Sequence, residues 1–450
     1  MSTIELGELP PADEEPEHTG SFRWPRRHIR QAGAVLATVL CAATLAGSAV
    51  APEPHGVRPL WSIELDDAQS TTLSRDRLFV HRSLNGRATV TAYDLATGTV
   101  IWQHAFDGTI GYLQAVDPAG VILVPSEAHV VTMSTSDDGS SYSTEFHRRT
   151  VAISMATGAE LWRATGEPYS IGDDTVLLTE YTDRADLARM RLVRLSDRST
   201  IWTRETPGVK NQTVLPTVHP ERIVTATATG AIKIFSYASG KLITSATVPW
   251  SQGNPTEGYY NDLTGTGELL VVNRTRREKL DMSVYRLDTM TELWKMDGSG
   301  FNGFAFPCGA TLCVSNSTGL EVYDPVTGAR RWTLDGASNA SMVSADRLMI
   351  GDSLGRPDGP NQLVDVATGT PVGEPLNGTL TWGDLKESSM LLLRTTVSPP
   401  DRTAVVRWDL ETGRQRVLGA VDRIPDGACQ TVPGYLACHS TGRFQVLAVN

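Results

Sequence analysis

The sequence predicts an all-β fold, a propeller of four-stranded blades, on three observations. A hairpin unit recurs along the chain, a tryptophan position returns at intervals of 38 to 60 residues, and each end of the repeat region carries part of one unit. Repeats of about 40 to 50 residues holding four short strands cannot bury their apolar faces alone, and do so by stacking around an axis.

The hairpin is clearest at 323–332, Tyr-Asp-Pro-Val-Thr-Gly-Ala-Arg-Arg-Trp, and related versions stand at 93–102, 153–162 and 285–294. Each residue type has a physical task. Asp94 and Asp324 can accept hydrogen bonds from backbone N–H groups about two residues on. Gly98, Gly158 and Gly328 supply a positive φ that costs a residue with a Cβ about 1 kcal/mol or more. The closing tryptophan, at Trp61, Trp102, Trp162, Trp202, Trp294 and Trp332, lies on a strand too short to cover an indole of ~200 Å², so it must pack on a neighbouring sheet. Aligned on that position, the other units carry Thr244, Gly373 and Val417.

Taken in order, residues 1–30 open with a polar stretch bearing Asp13, Glu14, Glu15 and Glu17 and are expected as a disordered cytoplasmic tail. Arg23, Arg26, Arg27 and Arg30 precede 31–50, a run without a charge. As a helix this run would be ~30 Å long and match a bilayer core, with its positive flank inside. A cleaved signal peptide ending near Ala51, a lipoprotein signal and an uncleaved anchor compete for the segment. Cys41 follows Thr-Val-Leu rather than small residues, and the run exceeds the usual signal-peptide core. The expectation is therefore a single-pass transmembrane anchor over 31–50, a linker over 51–56 and an extracytoplasmic propeller over 57–450, secreted if cleaved near Ala51.

An oxidising compartment accounts for the other cysteines. Cys308 with Cys313, and Cys429 with Cys438, each bracket the loop of a predicted hairpin, so two disulfides are expected. Neither pair has CxxC spacing and no His stands at a ligand-like interval between them, which argues against a metal site. The composition, 40% hydrophobic and 20% charged with 40 Gly and 25 Pro, suits a turn-rich globular domain. A net charge of −11 argues against nucleic acid or an anionic lipid surface as the partner of the main domain.

In the first full unit, strands are expected at 71–73, 77–81, 90–94 and 100–104; a later unit reads 304–307, 311–315, 320–323 and 330–334. The C-terminal stretch offers 429–432, 435–439 and 444–449 and lacks a fourth, tryptophan-bearing strand. The stretch 60–65 around Trp61 is a fourth strand with no blade before it. Together they make one composite blade that closes the ring and removes open sheet edges. Eight internal units and one composite are counted, giving eight or nine blades, with the units at Thr244 and Gly373 the weakest.

An apolar strand, Asp-x-x-Thr-Gly, and Trp four residues after the Gly together resemble the pyrroloquinoline-quinone-like, quinoprotein-type propeller repeat. The resemblance covers about 57–450, is strong at 93–102, 153–162 and 323–332, and weakens at Gly240, Gly369 and Gly413, where the Trp is lost. The family includes quinone-dependent dehydrogenases, the propeller lipoprotein of the outer-membrane β-barrel assembly machinery, and bacterial surface proteins that bind no quinone. The resemblance therefore implies the fold and leaves function to the residues. Dehydrogenases of this kind carry an adjacent Cys-Cys pair over the cofactor, and none occurs here.

There is no GxSxG, HExxH or GxxxxGK[ST] pattern. No catalytic residue, cofactor or metal is expected. The expected function is a binding or scaffold module at the bacterial cell envelope, with an envelope protein or polysaccharide as partner. A quinone-dependent dehydrogenase is the alternative.

Unequal repeat spacing points to a binding face, because insertions in repeat folds gather where ligands are met. The long segments 127–149, 182–188, 274–281, 355–360 and 398–402 all fall between second and third strands, whereas the Thr-Gly turns stay short. Within them Asp137, Asp138 and Tyr142 populate one insertion, and Arg274, Arg276, Arg277 and Lys279 form a basic cluster in another.

Overall fold

A computed structural model describes residues 56–449, apart from 66–67, 85, 135–140, 216–220, 252–258, 277–278, 302, 338, 352–358, 382, 384–387, 425–427 and 441. The described strands form eight antiparallel sheets, seven of four strands and one of seven. In the seven-stranded sheet the long strand Thr200–Leu215 pairs with Leu187–Arg194 through Thr200 to Val209, then with Arg222–Thr227 through Val209 to Leu215. One strand is thus the outer edge of one four-stranded unit and the inner edge of the next. The eight sheets hold nine blade units.

Blades 1 to 8 follow the chain from the unit opening with Ala68–Leu73 to the one closing with Gln415–Asp422. Blade 9 is composite: Ala428–Val432, Tyr435–Ser440 and Arg443–Val449 are completed by Val57–Glu64, which pairs antiparallel with Arg443–Val449 from Val57 opposite Val449 to Glu64 opposite Arg443. The units expected to be weak, ending in Leu242–Thr247 and Pro371–Asn377, each have four strands.

Apolar residues of every blade meet those of the next. One cluster joins Phe79 and Val90 of blade 1 to Ile122 and Val124 of blade 2, and another joins Val224 and Ile234 of blade 4 to Leu270 and Val272 of blade 5. The ring closes where Leu78 and Val80 of blade 1 pack with Phe444 and Val446 of blade 9. The core is a circle of seams rather than a single centre.

The recurring tryptophan fastens these seams. Its indole N–H donates to a carbonyl in the last turn of the following blade: Trp61 to Leu95 at 2.8 Å, Trp102 to Met155 at 2.9 Å, Trp162 to Leu195 at 2.7 Å, Trp202 to Tyr237 at 2.7 Å, Trp294 to Pro325 and Trp332 to Val366, both at 3.0 Å. In five of the six the ring also lies against that turn's glycine; in blade 3, where Trp162 docks, Arg198 holds the place at φ 61°. A Cβ at Gly240 would sit 2.6 Å from Trp202, and one at Gly328 2.6 Å from Trp294.

At Gly98, Gly158, Gly240, Gly328 and Gly369 glycine serves twice, for a φ of +62° to +72° and for the space the indole takes. Blade 5 carries Met290 in this place at φ 55°, and blade 4, before it, is the one with Thr244 where the tryptophan would be. Blade 7 has Gly373, whose backbone lies directly on Gly413; Trp408, fully buried in blade 8, donates to the Gly413 carbonyl instead.

Two disulfides staple inner hairpins. Cys308 and Cys313 are bonded at 2.05 Å in blade 6, and Cys429 and Cys438, directly opposite each other in blade 9, at 2.09 Å.

The expected membrane helix is corrected. Among the described residues the only helical element is the three-residue 3-10 turn Asp117–Ala119, and no helix is long and apolar enough to cross a membrane. The segments 1–30, 31–50 and 51–55 lie outside the described residues. An uncharged run fixes a length, which alone determines neither a helix nor its insertion. Among the described residues the fold is therefore the closed propeller with no membrane-spanning helix, and neither the helical membrane tether nor the single-pass location is carried further.

Two kinds of buried or hydrogen-bonded group make stability depend on pH. His81, fully buried in blade 1 with Ser70 Oγ 3.3 Å from Nδ1, has its pKa lowered by burial. Its folded state binds a proton less readily than the unfolded chain, so its contribution is whole above pH ~6.5 and shrinks as pH falls. Asp324, held low by the Arg331 guanidinium and then by Thr327, and Asp94, held low by Thr97, add a second loss below pH ~4. Urea titrations from pH 8 to 3 are expected to show both declines, with the first absent in His81→Asn. An unchanged first decline in that variant would assign it to another group.

Candidate interaction face

In each blade the turns between second and third strands emerge on one face, and the first-to-second and third-to-fourth turns on the other. The second face is the plain one. Its Asp-x-x-Thr-Gly turns share one geometry, with Asp94 Oδ1 accepting from the N–H and hydroxyl of Thr97, each at 2.8 Å, and Asp409 treating Thr412 likewise at 2.7 Å. A cavity of about 600 Å³ there is lined by Ser74, Arg77 and Asp117; Ser74 donates to Asp117 at 2.5 Å and Arg77 Nη1 to the Met155 carbonyl.

On the elaborated face, the insertion 127–149 does not form a loop. It lengthens two strands of blade 2, Val121–Ser134 and Ser141–Ser154, which stay in register from Val121 opposite Ser154 to Ser134 opposite Ser141. Other second and third strands run five to eight residues; these run 14 each. The inner strand of blade 2 pairs only with Val121 to Leu123, and the outer strand only with Arg149 to Ile153. Beyond them the hairpin is a two-stranded arm.

The root of the arm rests on blade 3. The Phe146 ring lies 5.3 Å from Tyr181 and 5.1 Å from His129, and Arg148 reaches Asp183 at 2.5 Å. His147, 6% exposed, donates its backbone N–H to Glu167 at 2.8 Å, with Nδ1 3.3 Å from the same oxygen and Nε2 3.5 Å from Glu145. A Cβ at Gly111 would fall 2.2 Å from Nε2, so only glycine fits there. Burial, then the Glu167 charge, pushes the Tyr112 phenol up to about 12, which keeps it a neutral donor at any physiological pH.

The sequence-predicted residues are dispersed over this face. Asp137 and Asp138 lie outside the described residues, and Tyr142 stands opposite Met133 on the arm. Arg274 and Arg276 lie in strand Leu269–Arg276 of blade 5 and Lys279 in Lys279–Arg286; Arg277 falls outside the described residues. Arg276 is ion-paired with the buried Asp281, which also stands directly across from Arg274. Much of the expected positive charge is therefore met by a carboxylate within the same hairpin. No group of three or more His, Cys, Asp or Glu suited to a metal occurs among the described residues.

Sequence reasoning missed a set of hydrogen bonds that stitch the inner rim from blade 2 to blade 6. Tyr112 donates to the Pro168 carbonyl at 3.4 Å, Tyr169 to that of Gln212 at 2.5 Å, Asn211 to that of Asn261 at 2.8 Å, and Asn273 to that of Ala305 at 3.3 Å. Inner strands carry no repeat consensus, so the signal was available only by comparing where each of them begins.

A ring of four-stranded blades with repeat tryptophans docked on the next blade's turn defines a propeller of the quinoprotein-like class. A family model described as outer membrane protein assembly factor BamB matches residues 86–334, more than half of the chain, and the chain belongs to this family. The family's description is of an assembly factor.

Among solved structures, the chain is similar to BamB from Moraxella catarrhalis at 13% identity, covering 87% of this chain and 99% of that one, with a TM-score of 0.43. It is also similar to the computationally designed Ika8 protein (14% identity, 87% and 100% coverage, TM-score 0.42) and to a eukaryotic initiation factor (10%, 81% and 91%, 0.51). At these identities the likeness is of fold alone. No curated protein matches the sequence.

Proposed function

We propose that residues 57–450 form a non-enzymatic binding module of the cell envelope, outside the cytoplasm, which engages an envelope protein or polysaccharide through its second-to-third-strand face. The arm of blade 2 carries this reading. It exposes Val130 and leaves paired strands without outer neighbours, while the turns of the opposite face share one tight geometry. The two disulfides and the membership in an envelope assembly family support the location.

Replacing 130–145 by a two-residue turn is expected to abolish capture of the envelope partner and to move the melting temperature by less than ~5 °C, because backbone on a surface is solvated and the buried Phe146 and His147 at the root of the arm are kept. Lys279→Glu is expected to weaken capture without affecting the Arg276–Asp281 pair. Capture that survives both changes and fails with substitutions at the plain-face turns would place the site on the other side.

A further inference from the structure

The inner rim of the elaborated face carries exposed aromatic rings at comparable places. Tyr112 stands just before the inner strand of blade 2, Tyr169 is the third residue of Glu167–Ile171, Tyr260 the second of Tyr259–Thr266, and Phe304 the first of Phe304–Cys308. All four lie where an inner strand begins, next to the second-to-third turns: Tyr260 pairs with Thr275, beside Arg276, and Phe304 with Ser315. They keep 38, 39, 52 and 51% of their surface open, which is unusual for rings so near the axis of a packed domain. The inner strands of blades 1, 7, 8 and 9 carry no aromatic residue, nor do residues 209–215 of blade 4, so the rings stand on blades 2 and 3 and on blades 5 and 6 with one blade between the pairs.

We propose that this arc, from Tyr112 to Phe304, is a platform for a neutral glycan chain. The inference rests on the reading of this face as the binding face. Three observations select the ligand. The rings are interleaved with Gln114, Ser170 and Thr264, and a pyranose needs that mixture, an aromatic face under its apolar C–H groups and an amide or hydroxyls for its rim. A protein anchor would instead favour one contiguous apolar pocket.

Charge is the second. Arg276 and Lys210 are matched by Asp281 and Asp186, Glu167 and Asp262 stand on the same inner strands as the rings, and the domain is acidic overall, which disfavours an acidic polymer. Preorganisation is the third. The Tyr112 and Tyr169 hydroxyls are tied to the next blade's inner strand, so these rings lose little rotamer freedom when a ligand settles on them.

The test is calorimetric titration of the full chain with cellohexaose and with chitohexaose, two uncharged β-1,4-linked oligomers. Binding of at least one is expected, weakened about tenfold by Tyr260→Ala and by Phe304→Ala and lost in the double variant. Both rings are half exposed, so melting temperatures should stay close to that of the parent. No heat with either oligomer, or equal binding by the ring variants, overturns the proposal. Heat with a reduced, carboxymethylated polypeptide alone would reassign the arc to an extended protein segment, and self-association lost in the ring variants would reassign it to a second copy. Partner capture that needs the arm of blade 2 but ignores both ring variants, without glycan binding, would sink the glycan and leave the proposed function standing.

Discussion

Trp202→Ala is expected to lower the free energy of unfolding by about 3–5 kcal/mol, measured by urea denaturation with the slope unchanged. Trp202 is only 8% exposed, and its loss empties a space bounded by Leu177, Leu192 and Ile223 at the seam of blades 3 and 4. It also orphans the Tyr237 carbonyl, which accepts the indole N–H at 2.7 Å. Gly240 cannot move into the gap because its backbone is set by a φ of +62° and by the turn bond from its N–H to Ser236 O at 2.8 Å. A loss under ~1 kcal/mol would show that the seam relaxes and that the indole is not what fastens the blades.

Removing residues 56–65 is expected to cost at least about 5 kcal/mol, from the lost burial of Leu60, Trp61, Ile63 and Leu65 at roughly 1.5–3 kcal/mol for each fully buried side chain and less for the partly buried ones. The same deletion bares the outer edge of Arg443–Val449, which then presents unpaired N–H and C=O groups to other molecules. Sedimentation should show association, and a synthetic peptide of residues 56–65 added in trans should restore both the monomer and the melting temperature. A truncated chain that stays monomeric and melts as the parent does would mean that the ring does not depend on this strand.

The repeat was legible because its chemistry is local. An Asp-x-x-Thr-Gly turn and a tryptophan four residues after the glycine lie within ten residues, and both the turn bonds and the indole contacts follow from them. Strands expected at 77–81 and 90–94 run over Arg77–Leu84 and Arg87–Asp94, close to those bounds. Composite closure was legible from a tryptophan strand without a blade and a blade without its tryptophan.

What escaped depends on partners distant in sequence. The 127–149 insertion reads as polar loop because its strands satisfy each other by backbone bonds, not by an apolar face. Thr200–Leu215 runs through Thr206-Pro207-Gly208, which reads as a break between blades. Arg276 reads as part of a cationic cluster because Asp281, its ion-pair partner, comes from the returning strand. The run 31–50, which reads as a membrane helix from its length, its lack of charge and its arginine flank, lies outside the described residues.

The pairing of Val57 with Val449 has a consequence for biosynthesis. These residues are about 390 apart in the chain, so at roughly 5–20 residues per second the first strand made waits about 20 to 80 s for the last. Throughout that interval Trp61 and its neighbours have no partner strand, and every blade formed in the meantime belongs to an open arc. The nascent protein therefore needs its N-terminal strand shielded until synthesis is complete. Chaperone demand is set by the order in which the strands are made, and would fall in a circular permutant that begins at Ala68.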